Sequence, residues 1–139
     1  MLQKNILFIF FIFIYSCQSK ESLKREQYIV EGMTQYELHC ANCHQADGKG
    51  LEDLYPPLAN SDFLKNNKKA VICTILNGME GSLVVNGKTY HQPMPANQQL
   101  KPIDIAEIVT YIYNTWSDEK VITSTAYVQD VINNVCVKK

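Results

Sequence analysis

The chain has 139 residues, enough for one domain of ordinary size, and a composition 46% hydrophobic and 19% charged excludes disorder throughout. A formal charge of -1, with lysines scattered along the chain, leaves no basic face and argues against a nucleic-acid partner. Lys68-Lys69 and Lys138-Lys139 come nearest to clusters, and both suit a solvated surface.

The N-terminus reads as an export signal. Lys4 precedes an unbroken apolar run from Ile6 to Tyr15, followed by Ser16 and Cys17. The run is well short of the roughly 20 apolar residues that a membrane-spanning helix needs. Its end, Ile14-Tyr15-Ser16-Cys17, resembles a bacterial lipobox, in which a small residue precedes a cysteine that is lipidated and becomes the new N-terminus. The expectation is a signal peptide over residues 1–16 and a lipid anchor on Cys17; the alternative is cleavage nearby that leaves a free thiol. Residues 17–27, which contain the polar stretch Gln18 to Glu26, read as a tether between anchor and domain.

From Gln27 to Cys40 the apolar residues Tyr28, Ile29, Met33, Tyr36 and Leu38 suit a helix with Gly32 inside it. Glycine there costs about 1 kcal/mol, so a packing reason is expected. The stretch Ala46 to Asn60 holds Gly48, Gly50, Pro56 and Pro57 with no periodicity, and reads as a loop. Asn67 to Leu76 is apolar along one side and is followed by Gly78, which suits a helix with a glycine stop. Asn86-Gly87 between Leu83-Val84-Val85 and Lys88-Thr89-Tyr90 is a short-hairpin signal. Lys101 to Trp116 is the clearest helix, with Pro102 in its first turn, Asp104 near its N-terminal dipole, and Ile105, Ile108, Val109 and Ile112 on one face. A weaker helix is expected from Ser124 to Val135. The pattern is all-α with one small hairpin. Its long loops are unusual in so small a domain unless something else fills the centre.

Cys40-Ala41-Asn42-Cys43-His44, at the end of the first helix, supplies that something. A Cys-x-x-Cys-His run is a haem c attachment signature. On a helical turn its two thiols and imidazole share a face. The thiols can add to the two vinyl groups of one porphyrin while the imidazole reaches the iron. A thioredoxin-type redox pair is one alternative, but nothing strand-like precedes Cys40. A structural zinc site is another, and would need a fourth ligand such as His39 or His91. The second axial ligand is expected downstream. Met94, between Pro93 and Pro95, sits on backbone that prolines preset as extended. Met79 beside Gly78 and His91 are its rivals; Met79 suits a packing residue at a helix end, and His91 an exposed loop histidine.

With these pieces in place, the stretch from Tyr28 to Trp116 resembles the class I cytochrome c domain. It is most similar to the small cytochromes and cytochrome subunits that serve bacterial dehydrogenases, nitrite reductases and oxidases. The matching runs are Cys40-Ala41-Asn42-Cys43-His44, Asp47-Gly48-Lys49-Gly50, Tyr55-Pro56-Pro57-Leu58-Ala59, Asn86-Gly87-Lys88-Thr89-Tyr90, Met94-Pro95 and Ile105 to Ile112. The resemblance implies helices and long loops around one haem c, with a small hairpin before the distal methionine. Cys40 and Cys43 would hold the haem by thioethers, with His44 and Met94 as axial ligands. Pro56 would offer its carbonyl to the second nitrogen of His44. Gly32 and Tyr36 would cross the last long helix at Ile108 and Tyr111. Two departures stand out: Ser117-Asp118 replaces the Gly-Asn that often follows the tryptophan, and Lys101 replaces a capping Ser or Thr.

The resulting organisation is a signal peptide (1–16), a tether (17–27), a cytochrome c domain (28–117) and a C-terminal extension (118–139) expected to be a short helix packed on the domain. Cys73 and Cys136 are left over. They permit a disulfide tying that extension to the middle helix, or else a buried thiol at Cys73 and a loose one at Cys136. The implied function is single-electron transfer to and from redox partner proteins such as a dehydrogenase, reductase or oxidase. It would take place at the periplasmic face of a bacterial envelope, where a lipid anchor holds the chain to the membrane. The competing reading is a haem-based sensor or peroxidase-like enzyme with an open iron face.

Overall fold

Ser19 accepts a hydrogen bond at Oγ from the Ser22 amide (3.2 Å) and opens helix α1, Lys20–His39, in a computed structural model that describes residues 19–117 and 119–136. The signal segment and Cys17 lie outside the described residues. From Lys20 on, the polar stretch expected to be a tether forms the first two turns of this helix. Its Lys, Glu, Leu and Arg residues are good helix formers, and Glu21 lies in the first turn, where the helix dipole favours an acid. Tertiary contacts add to these preferences. Arg25 Nη1 donates to the Lys120 carbonyl (3.1 Å), and the Tyr28 and Thr125 hydroxyls share a hydrogen bond (3.2 Å).

A one-turn helix α2, Ala41–His44, follows at once. After the long loop come α3, Asp62–Asn66, capped by Ser61 Oγ, and α4, Lys68–Asn77. The hairpin pairs β1, Leu83–Val85, antiparallel with β2, Lys88–Tyr90. Asn86 and Gly87 both take positive φ (52° and 78°), as a two-residue hairpin turn requires. Asp62 and Asn86 tie the turn to α3, each side chain accepting the other's backbone N–H (2.9 and 3.0 Å).

Helix α5, Pro102–Trp116, is the spine of the core. Lys101 has no side chain suited to capping, but its backbone N–H donates to Asp104 Oδ2 (2.8 Å), and Pro102 needs no amide partner. Ile105, Ile108, Val109 and Ile112 are buried as the periodicity predicts, and so are Ala106, Thr110 and Tyr113. The C-terminal residues pack against this helix and cover part of a second face, while Tyr113 Oη donates to the Leu64 carbonyl (2.6 Å). Thr123 donates its amide to Thr110 Oγ1 (3.0 Å). Helix α6, Thr125–Val131, capped by Ser124, then drives Val128 and Val131 into the core.

The expected helix to Val135 differs in its last turn. Residues Ile132–Cys136 form a π-helical turn, and Cys136 is joined to Cys73 of α4. The bond closes a loop with a sequence separation of 63, which on chain-entropy grounds contributes about 4 kcal/mol.

Helix α1 crosses α5 at Gly32. A Cβ there would stand 2.0 Å from the Glu107 carbonyl oxygen and 2.8 Å from Tyr111 Cβ. This contact is the packing reason that the glycine demanded. One turn on, Tyr36 packs its ring on Tyr111 and Trp116, with centroids 5.5 and 5.1 Å away. Gly32→Ala is therefore expected to push the two helices apart and destabilise the protein by about 1–3 kcal/mol. Thermal unfolding followed by circular dichroism reads this out, and an unchanged midpoint would show that the crossing is not tight.

Candidate haem site

Cys40 is where α1 ends and α2 begins. Its amide donates to the Tyr36 carbonyl (2.8 Å), and its own carbonyl accepts from the Cys43 and His44 amides (3.2 and 3.0 Å). That tight turn puts Cys40, Cys43 and His44 on one wall of a single cleft. Gln45, at φ 61°, then turns the chain away, and Tyr36 Oη donates to its carbonyl (2.7 Å).

The loop expected from Ala46 to Asn60 is a closely bonded wrap around this turn. Gly50 donates to the His44 carbonyl (3.0 Å), and the Gly48 carbonyl accepts from Leu58 and Ala59 (2.7 and 2.9 Å). Gly48 and Gly50 both have positive φ, and any Cβ would meet the Trp116 ring at 2.6 Å or the Tyr55 carbonyl at 2.2 Å. The wrap delivers the Pro56 carbonyl to His44 Nδ1 at 3.0 Å. A carbonyl oxygen can only accept, so Nδ1 carries the proton and the lone pair lies on Nε2. Burial lowers the His44 pKa, against a smaller upward pull from this bond.

Met94 is held in a different way. Its amide and carbonyl pair with those of Met79, both bonds 2.9 Å long, in an isolated antiparallel bridge. Gly78 makes room for it: at φ 75°, a Cβ on Gly78 would lie 2.6 Å from the Met94 carbonyl. Asn97 donates to the Ile75 carbonyl (3.1 Å) and closes the loop onto the end of α4.

Met79 and Met94 both line the cleft, so Met79 is more than a packing residue at a helix end. Two methionines fifteen positions apart gave no sequence signal of pairing; the glycine before one and the prolines around the other were the only hints. His91 is exposed and does not line the cleft.

The cleft spans about 1000 Å³ with the open solvent at its mouth included, and its walls include Leu58, Leu64, Val71, Ile75, Val85, Ile108 and Ile112. Among the described residues, none that lines it is Asp, Glu, Lys or Arg. The two alternatives to haem lose ground here. A redox thiol pair needs a depressed pKa, yet burial first and Cys43 second push the Cys40 thiol up to about 12. For zinc, no three His, Cys, Asp or Glu side chains among the described residues are grouped to hold a metal ion. A large flat apolar ring suits the walls. Unpaired thiols at Cys40 and Cys43, the imidazole and a thioether are the donors that haem c uses.

A wrapped helical fold around such a cleft, with this donor set, defines the class of proteins that carry haem through thioether bonds. The chain belongs to the cytochrome c family, which it matches over residues 29–116. It has the class I cytochrome c fold, and it is a protein of one covalently bound haem c, which its single Cys-x-x-Cys-His run fits. It is 34% identical over 85 residues to cytochrome c-552 of Thermus thermophilus, a match covering 58% of this chain and 65% of that one. It is 30% identical over 109 residues to the fructose dehydrogenase cytochrome subunit of Gluconobacter japonicus, covering 73% of this chain and 22% of the subunit. The cytochrome c subunit of a quinone alcohol dehydrogenase from Gluconacetobacter polyoxogenes is 32% identical over 100 residues, covering 70% and 21%. The chain thus spans less than two thirds of these relatives' lengths.

Protein made in a host with an intact cytochrome c maturation system should keep its haem on a denaturing gel stained for haem peroxidase activity. A Cys40→Ala/Cys43→Ala variant should lose the stain, and a wild type that lost it would contradict thioether attachment.

Proposed function

We propose that the chain is a single-electron carrier, or the membrane-tethered electron-transfer subunit of a complex, in a bacterial respiratory or dehydrogenase chain. In this reading Cys40 and Cys43 hold the haem, and His44 and Met94 are its axial ligands. Bound in the cleft, haem c supplies a one-electron Fe(II)/Fe(III) couple.

The observation that carries the reading is that His44 and Met94 line one cleft, the His44 ring held by the Pro56 carbonyl and the Met94 backbone held by that of Met79. Rigid ligands suit a site that changes charge without changing shape. The Pro56 bond orients the His44 ring and makes its Nε2 a better donor. The Met94 thioether favours the reduced state and raises the potential compared with a second histidine. Apolar walls keep water and its reorganisation away from the site. A peroxidase needs an acid and base beside an open iron face, but among the described residues the cleft lining holds no carboxylate, and its one imidazole is His44. The kinship with cytochrome subunits of dehydrogenases supports redox enzymes as the partners.

The same proposal places the chain in the cell envelope, facing the periplasm, with a lipid on Cys17. Among the described residues no helix is long and apolar enough to cross a membrane. Helix α1 starts at Lys20, so at most about 10 Å of extended chain separates it from the anchor. The carrier would be held close to the bilayer, with no long leash.

Met94→Ala should keep the haem but lose the weak long-wavelength band of an iron–sulfur bond in the oxidised spectrum. It should also lower the reduction potential and let carbon monoxide bind when reduced, whereas His91→Ala should do none of these. An unchanged spectrum and potential in Met94→Ala would remove Met94 from the iron, and a wild type that takes up carbon monoxide readily would favour a sensor.

Cys17→Ser should release a soluble, still red protein into the periplasm on cell fractionation. Continued membrane association would point to an uncleaved signal or a bound partner.

A further inference from the structure

The C-terminal extension grips the helix from which the Met94 loop hangs. Val128 and Val131 are fully buried, and an α-helical continuation would turn Val135, four residues on, toward the same core. Val135 is instead 42% exposed, and the π turn brings round Cys136, five residues on from Val131. The wider turn carries Cys136 to Cys73 of α4. One helical turn further along α4, Asn77 Nδ2 donates to the Cys136 carbonyl (3.2 Å). Cys73 and Asn77 share a face of α4, so the last turn of this helix is pinned twice from outside.

The loop that presents Met94 is built on that same turn. Gly78 donates to the Thr74 carbonyl (2.9 Å), Asn97 to the Ile75 carbonyl (3.1 Å), and Met79 and Met94 exchange both backbone bonds. A covalent and hydrogen-bonded path therefore runs from the disulfide through α4 to Met94 without a break.

We propose that Cys73 and Cys136 are positioning residues for Met94, bracing the end of α4 so that the Met79–Met94 bridge stays closed. This rests on the reading of Met94 as an axial ligand. Without the brace the α4 end frays, the bridge opens more often, and the sixth position on the iron is exposed for a larger fraction of the time.

The probe is imidazole added to the oxidised haem-loaded protein, whose binding rate reports how often Met94 leaves the iron. Cys73→Ala/Cys136→Ala should bind imidazole about tenfold faster than wild type, as a local loss of roughly 1.4 kcal/mol would give. It should also exchange the Met79 and Met94 amide hydrogens faster. Val128→Ala serves as the control, because it loosens the extension in the core without cutting its bond to α4. It should lower the unfolding midpoint yet leave the imidazole rate near that of wild type.

A wild-type imidazole rate in the double variant overturns the brace, and so does an equal rise in Val128→Ala, which would mean that the extension acts only through global stability. A wild type with no iron–sulfur band overturns Met94 ligation itself, and is told apart by needing no cysteine variant to reveal it.

Discussion

The backbone of Gly32 rests against the Glu107 carbonyl, at a distance that no side chain could share. The His44 side of the cleft is placed relative to this crossing. It sets the approach of α1 to α5, and α1 ends at Cys40, so the same contact decides where the thiols and the imidazole emerge. Tyr36, Tyr111 and Trp116 fill the angle between the helices, each pair of rings about 5 to 5.5 Å apart. Trp116 in turn fills the space that a side chain at Gly48 would need, which presses the wrapping loop back onto His44.

The two sides of the cleft follow different logic. On the His44 side the chain is short and local: five residues hold the three candidate side chains, and Pro56 reaches the ring from twelve positions away. On the Met94 side nothing is local. The Met94 backbone is placed by α4, Gly78, Met79 and Asn97, and α4 is in turn held by the C-terminal extension. Breathing should therefore concentrate on the methionine side, where several weak links act in series.

The charged residues play a lesser part. Lys68 lies 4.3 Å from the centre of the Tyr113 ring and pairs with Glu119, which ties the start of the extension to α4. Lys88 pairs with Asp53 and joins the hairpin to the wrapping loop, but both groups are well exposed, and such pairs are worth little. The apolar contacts and backbone hydrogen bonds do most of the positioning.

That Cys40, Cys43 and His44 face one cleft could be read from the sequence, because adjacent positions on one turn share a face and adjacency is what a sequence records. Helix α5, the hairpin turn at Asn86-Gly87 and the glycine stop at Gly78 were legible for the same reason: periodicity and positive φ are local demands. Met94 stood out by its flanking prolines, and Gly32 by its cost. Three features waited for the tertiary structure. The polar residues from Lys20 to Glu26 form helix, their good propensity joined by an Arg25 bond to a carbonyl 95 positions away. Met79 proved to be the backbone partner of Met94. The Cys73–Cys136 bond, open in the sequence, formed through a π turn that no α-helical period encodes. Each of these depends on what residues far apart in the chain come to touch, and that is decided only when the core packs.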